Sequence, residues 1–321
     1  MGILTVTLNP ALDREVIIPN FTVNELHRVF DKKKLINDPG GKGINVSTML
    51  SKLNNTSSIA MGFLGGYTGR IIAEELRRRF PNITLNFIHI TSESRENLSI
   101  LDEVNHYITE INAPGPAIEE ADLMHFMRLF KTVVSRTKTT VISGSVPLGI
   151  PLDIYADLTK IAQNNNNKVF VEARGQLLTN VVKKNCPDVV RPDMRSTNKV
   201  MGKELNTLND YIEAGKEIIS YGAELVVISY KMKSDIIFTR DGVRLLTIMD
   251  EELDESHLMG TGDAYVTAMI HHYYEIEKDL VKTAEFGMAA ALAKTKYLKK
   301  EMPPLSEINE AIQHIKTEKM D

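Results

Sequence analysis

Gly260-Thr261-Gly262-Asp263 is the stretch of this 321-residue chain whose residue types and spacing point most directly to chemistry. It follows an acidic, turn-like segment, Asp250 to Ser256, and opens a helix-forming run from Ala264 to Ile270. Two glycines let the backbone turn sharply and aim several N–H groups at one point. A helix N-terminus adds partial positive charge at the same place. Gly260, Thr261 and Gly262 therefore read as a cradle for an anion, most naturally a phosphate. A carboxylate is out of place there unless it has a proton to take. Asp263 reads as the base of a phosphoryl transfer to a hydroxyl.

A second glycine cluster is Pro39-Gly40-Gly41-Lys42-Gly43-Ile44-Asn45-Val46. Gly40 and Gly41 permit close approach of backbone to a ligand, and Lys42 and Asn45 offer polar contacts to a hydroxylated or phosphorylated molecule. It lacks the spacing of a Walker A loop. Neither cluster is a dinucleotide fingerprint, since Tyr265 stands where Gly260-x-Gly262 would need its third glycine. The same residues would also serve as a plain tight turn before a core helix. Asn9-Pro10-Ala11-Leu12-Asp13 follows the first strand candidate. Ligands of open α/β sheets bind beyond the C-terminal strand ends, which places Asp13 to accept from sugar hydroxyls. An Asp in a polar turn is the alternative. In Ser94-Arg95-Glu96-Asn97, Arg95 is a phosphate clamp or a surface residue. Gly144 and Ser145 again set small polar groups just past a strand. His271-His272 suggests a metal, but adjacent helical residues point about 100° apart, so no metal ligand is assigned.

These residues need a frame. Short apolar runs at Ile3–Leu8, Ser57–Leu64, Leu85–Ile90, Val141–Ser143, Val169–Glu172, Val189–Arg191 and Leu225–Ser229 read as strands. Helical periodicity falls at Gly69–Phe80, Ala121–Ser135, Leu152–Asn164, Leu208–Tyr221, Thr267–Tyr274, Leu280–Lys296 and Ser306–Lys316. The alternation predicts a doubly wound, mostly parallel α/β sheet. Asp241-Gly242 between Asp235–Thr239 and Arg244–Ile248 signals a hairpin. Two stretches, at about 14–36 and 97–112, break the rhythm and are expected to form a small sheet outside the main one, as a lid. The chain is thus expected to be a single domain over 1–321.

Composition narrows the partners. The formal charge is −4, from 38 basic and 42 acidic residues, so nucleic acid and anionic membranes are not favoured. Lys32-Lys33-Lys34 and Arg77-Arg78-Arg79 read as solvated faces. The only cysteine, Cys186, excludes an intrachain disulfide and fits a cytoplasmic setting. No signal peptide or membrane-spanning run is visible.

Taken in order along the chain, these elements resemble the ribokinase/PfkB family of carbohydrate kinases, on its 1-phosphofructokinase and tagatose-6-phosphate kinase branch. The resemblance rests on Thr7 to Asp13, Gly40 to Val46, Gly62-Phe63-Leu64-Gly65-Gly66, Ser94 to Asn97, Glu110 to Pro116, Ser143 to Pro147 and Gly260 to Asp263. It implies a three-layer α/β/α domain with a β-lid often used for dimerisation, here a homodimer, and MgATP as donor to a sugar-phosphate hydroxyl. By motif, Asp263 would be the base and Gly260 to Gly262 the anion hole. Asp13, Gly40, Gly41, Lys42 and Asn45 would hold the sugar, with Gly144 and Ser145 close by. Arg95 would hold the phosphate already on the acceptor, and Arg28 of the lid would contribute from the same or a partner subunit.

The nucleotide half departs from the family. Arg191-Pro192-Asp193-Met194-Arg195-Ser196 stands for the usual Lys-Pro-Asn-x-x-Glu, so Ser196 removes a carboxylate near Mg²⁺. Ser229-Tyr230-Lys231-Met232-Lys233-Ser234 lacks two usual glycines but brings two lysines. Thr261 replaces Ala, and Glu172-Ala173-Arg174-Gly175 replaces Asp-x-Ser-Gly. Nucleotide binding is therefore expected from Arg191, Asp193, Ser229, Lys231, Lys233, Ser234, Gly260 and Gly262. Two readings follow: a kinase with a rebuilt nucleotide site, or a degenerate member that binds sugar phosphate with weak or no activity. The acceptor is expected to be a ketohexose phosphate, with fructose-1-phosphate, tagatose-6-phosphate and fructose-6-phosphate all open.

Overall fold

The computed structural model describes residues 2–195, 197–249, 258–297 and 299–320. Ser196 and the acidic run from Asp250 to Ser256 lie outside the described residues. The chain opens with β1 (Ile3–Thr7), β2 (Ala11–Ile17) and β3 (Leu35–Gly40) before α1 (Lys42–Asn54). Then come β4 (Ser58–Gly65), α2 (Gly66–Arg79), β5 (Ile83–Ile90), β6 (Arg95–Asp102) and β7 (Tyr107–Asn112). A regular alternation follows: α3 (Glu120–Val134), β8 (Thr139–Ser143), α4 (Ile154–Asn164), β9 (Lys168–Ala173), α5 (Gly175–Lys184) and β10 (Val189–Pro192). The short pair β11 (Lys199–Val200) and β12 (Lys203–Glu204) leads to α6 (Leu208–Ser220), β13 (Leu225–Lys231), β14 (Ser234–Thr239) and β15 (Gly242–Ile248). The chain finishes with α7 (Thr261–His271), α8 (Leu280–Lys294), α9 (Leu305–Ala311) and β16 (Ile315–Met320).

Among the described residues, ten strands make one sheet in the order β5-β4-β1-β8-β9-β10-β13-β14-β15-β16. The run from β5 to β13 is parallel; β14, β15 and β16 join it antiparallel. Parallel strands are covered on both faces, which is why they read as unbroken apolar runs. Successive residues feed opposite cores. Leu4 and Val6 of β1 pack with Phe126, Phe130, Tyr155, Leu178 and Ile218 from α3 to α6. Ile3 packs with Met49 and Leu50 of α1, Tyr265 of α7 and Phe286 of α8. Three layers result.

The lid is a separate sheet, β3-β2-β6-β7, with β2 and β6 parallel and the other pairs antiparallel. Its strands occupy Ala11–Ile17 and Leu35–Gly40, so the expected extended stretch at 14–36 is largely the loop between them. Three further expectations shift. α5 is an additional helix, built on Leu177, Leu178, Val181 and Val182. α7 begins at Thr261, three residues before the helix-forming run expected from Ala264 and six before the periodicity at Thr267, because Gly260 caps it in a left-handed conformation (φ 81°) that costs glycine little. The expected helix at Ser306–Lys316 ends early, and Ile315–Met320 becomes an edge strand on β15.

Candidate active site

The C-terminal ends of the parallel strands, the lid and the start of α7 enclose two adjoining cavities of ≈490 Å³ and ≈450 Å³. Lys42, Asp193, Arg195, Gly260 and Asp263 line both. The junction is therefore a cluster of charge placed beside a helix N-terminus.

Asp263 is buried. Its Oδ2 accepts a 2.7 Å hydrogen bond from Asn45 Nδ2, and its Oδ1 has no partner. Burial raises its pKa above the ordinary carboxyl value; Lys42 opposes the rise and Glu172 adds to it. The first intrahelical bond of α7 runs from Ala264 N–H to Gly260 O, so the N–H groups of residues 261–263 precede the ladder. Thr261 N–H is turned back to Leu258 O at 3.2 Å. Lys42 Nζ lies 3.1 Å from Glu172 Oε1 and 3.4 Å from Asp193 Oδ2. Burial would raise Glu172, yet Lys42 and Arg191 hold it below its ordinary value. Burial likewise acts against Asp193, but Lys42 and Arg195 hold its carboxyl down at about 2.

The smaller cavity is polar. Asp13, Gly41, Lys42, Asn45, Arg95, Gly144 and Ser145 all line it, as the sequence anticipates. Asp13 Oδ1 accepts from Asn97 Nδ2 at 2.8 Å, and its Oδ2 from Lys300 Nζ at 2.5 Å. Gly40 lies behind Asp13: a Cβ there would sit 2.0 Å from Asp13 Oδ2. Arg95 reaches the cavity wall, but its Nη1 and Nη2 donate to the carbonyls of Ala113 and Asn9, at 2.9 and 2.8 Å. These bonds fasten the lid strand β6 to the loop after β1. Arg28 lies on the exposed loop between β2 and β3 and lines neither cavity.

The larger cavity is mixed. Arg191, Asp193, Ser229, Lys231, Gly260, Thr261 and Gly262 face Met194, Tyr211, Tyr230, Ile248, Leu258, Met288 and Leu292. Apolar walls beside basic groups suit an aromatic base carrying phosphates. Arg191 Nη1 is 2.5 Å from Glu172 Oε1, and its guanidinium lies over the Tyr265 ring, 4.9 Å from the centroid. Lys233 and Ser234, expected at this site, do not line the cavity; they sit beyond it at the turn into β14. Sequence reasoning assigned no site role to Lys300, Arg195 or Glu172. Lys299-Lys300-Glu301 reads as an ordinary solvated charge run, and nothing local marks it.

A helix N-terminus at the end of an open parallel sheet, with a basic, apolar-walled cavity on one side and a lidded polar one on the other, defines a phosphotransferase acting on an alcohol acceptor. The chain belongs to the pfkB family of carbohydrate kinases, whose model matches residues 13–301. It is 31% identical over 271 residues to the 1-phosphofructokinase of Bacillus subtilis, covering 84% of each chain. A possible 1-phosphofructokinase from Thermotoga maritima has a structure that superposes with a TM-score of 0.96, at 42% identity and full coverage of both chains. The phosphofructokinase-2 of Escherichia coli, at 24% identity and a TM-score of 0.84 over 97% of this chain and 98% of its own, shares the fold. The architecture is the ribokinase-like one. Family membership implies ATP as the phosphoryl donor.

Proposed function

We propose that this protein transfers the γ-phosphoryl group of ATP to a hydroxyl of a ketohexose phosphate, with fructose-1-phosphate as the preferred acceptor and Asp263 as general base. The observation that carries the reading is the position of Asp263. It lines both cavities at the start of α7, and its buried Oδ1 has no hydrogen-bond partner. Fructose-1-phosphate is preferred because two relatives carry the name 1-phosphofructokinase.

The residues present fit the donor. The larger cavity has apolar walls for a base, and Arg191, Lys231 and the α7 N-terminus for phosphates. Among the described residues, no group of three or more His, Cys, Asp or Glu could hold a metal ion. Asp193 and Glu172 are both tied to cations. A Mg²⁺ ion would thus be held chiefly by phosphate oxygens and water, as Mg²⁺ readily is, and would neutralise charge on the phosphates. Asp13 and Asn45 hold the acceptor, and Asp263 takes its hydroxyl proton. The burial that raises the Asp263 pKa makes it a better proton acceptor than a solvated carboxylate. The N–H groups of Gly262 and Asp263 at the start of α7 and the Lys42 ammonium stabilise the charge that develops on the transferred group.

The degenerate reading finds no support, since the larger cavity has the volume and lining for a nucleotide. We also place the lid's outer face in a homodimer interface. Arg14 and Val16 point away from the inner face that carries Asp13 and Glu15. Beside them lie Leu35, Leu98 and Ile111, 48%, 36% and 56% exposed. Ile17 is buried inward with Leu101 and Met259. Among the described residues no helix is long and apolar enough to cross a membrane, and we place the enzyme in the cytoplasm. A coupled ADP-release assay across fructose-1-phosphate, tagatose-6-phosphate, fructose-6-phosphate, free sugars and nucleosides tests the reading. Fructose-1-phosphate should give the highest kcat/KM. A preference for unphosphorylated acceptors would overturn it.

A further inference from the structure

Lys300 is a partly buried lysine for which the reaction so far has no use. Its Nζ lies 2.5 Å from Asp13 Oδ2 and 3.8 Å from Glu15 Oε1. Those carboxylates stand two residues apart on the inner face of β2, and both are buried. Neither oxygen of Glu15 has a hydrogen-bond partner, so Lys300 compensates its charge through space alone. Lys300 also packs against the anion-binding turn: a Cβ built on Gly260 would sit 3.4 Å from Lys300 Cγ and 3.5 Å from its Cα. A single side chain thus joins the lid strand to the cap residue of α7, at the wall of the polar cavity.

The charge balance gives this contact a purpose. An ionised carboxylate offers about four acceptor directions. Asn97 occupies one on Asp13 Oδ1 and Lys300 one on Oδ2, which orients the group and leaves the remainder for acceptor hydroxyls. Without Lys300, the cavity-lining Asp13 carboxylate, with Glu15 buried next to it on β2, would lose its cation beside a cavity that must admit a phosphorylated, dianionic acceptor. Like charges and the loss of a buried partner would both work against binding.

We infer that Lys300 is a positioning residue for the sugar-phosphate acceptor: it neutralises the Asp13–Glu15 pair, orients Asp13 and holds the lid against Gly260. The inference rests on the proposed role of Asp13 in acceptor binding. Lys300→Met and the double variant Lys300→Met/Glu15→Gln test it, with both substrates varied and the thermal midpoint recorded. In the single variant the KM for fructose-1-phosphate should rise about 30-fold, the scale of losing one partner of a buried charge pair. The KM for ATP should stay as it was. Adding Glu15→Gln removes the surplus charge and should recover about tenfold of the loss. An unchanged acceptor KM in the single variant would overturn the inference. So would equal losses in both KM values and kcat, no recovery in the double variant, or failure of both variants to fold. If the wild-type enzyme itself turns over none of the sugar phosphates, the functional reading falls first and this inference with it.

Discussion

Asp263→Asn isolates the proton-transfer role, because the structure can keep everything else. The Asn45 amide now donates to Asp263 Oδ2 at 2.7 Å, and an Asn at position 263 can offer its carbonyl oxygen to the same donor. Shape and the start of α7 are retained; the ability to take a proton is lost. A positioned base accounts for about 10²–10⁴ in rate, or about 3–5 kcal/mol of barrier. The coupled ADP-release assay should therefore show kcat down by that factor, with the fructose-1-phosphate Kd from calorimetry within about threefold of wild type. The pH profile supplies a second readout. Wild-type activity needs the ionised carboxylate, so it falls as pH drops through the raised pKa of Asp263. The variant should lack that acid limb. Stability runs the other way. The raised folded-state pKa means that the ionised form is the costly one, so the stabilising effect of the proton is complete below the unfolded value and is lost as pH rises through the folded one. Wild type should gain stability over that window on acidification, and Asp263→Asn should not. A variant with kcat within about threefold of wild type would refute the assignment of Asp263 as base.

Three further outcomes are expected. Gly40→Ala places a Cβ against Asp13 Oδ2 and should cost about 1–3 kcal/mol, read as a higher acceptor KM with the KM for ATP unchanged; equal effects on both substrates would count against Asp13 as an acceptor ligand. Asp193, held down at about 2 from an ordinary 3.8, contributes stability that is present above the ordinary value and lost as pH falls through about 2. Asp193→Asn should therefore lower stability at pH 7 by about 2 kcal/mol in urea unfolding, and the deficit should vanish in strong acid. Leu98→Glu/Ile111→Glu sets charges on the lid's outer face, opposite one another across β6 and β7. Light scattering should show monomers where wild type forms dimers, and wild type monomeric at assay concentration would remove the interface.

Much of the site was legible in the residues because its parts are local. The αL glycine, the start of α7 and the carboxylate inside it occupy four consecutive positions, and backbone sterics decide their shape whatever lies around them. The glycine cluster opening α1 behaves likewise, and the parallel strands betray themselves as apolar runs. The lid was legible as a break in the βα rhythm, but its limits were not. Pairing partners, rather than the extended character of residues 14–36, decide which residues become strand. Residues 315–320 show the same limit: the alternation of an edge strand is short, and β15 as partner settles it.

By itself, then, the order of residues determined the class of fold, the glycine turn that opens α7 and the place of Asp263 just inside it. Only the tertiary structure decided which groups share the junction. Asn45 meets Asp263 across 218 positions, and Lys300 meets Asp13 across 287. It also decided that Lys231 reaches the larger cavity while Lys233 and Ser234 do not, and that Arg95 has its terminal nitrogens on carbonyls. Charge compensation in a buried site depends on distance in space, which residue spacing along the chain does not encode.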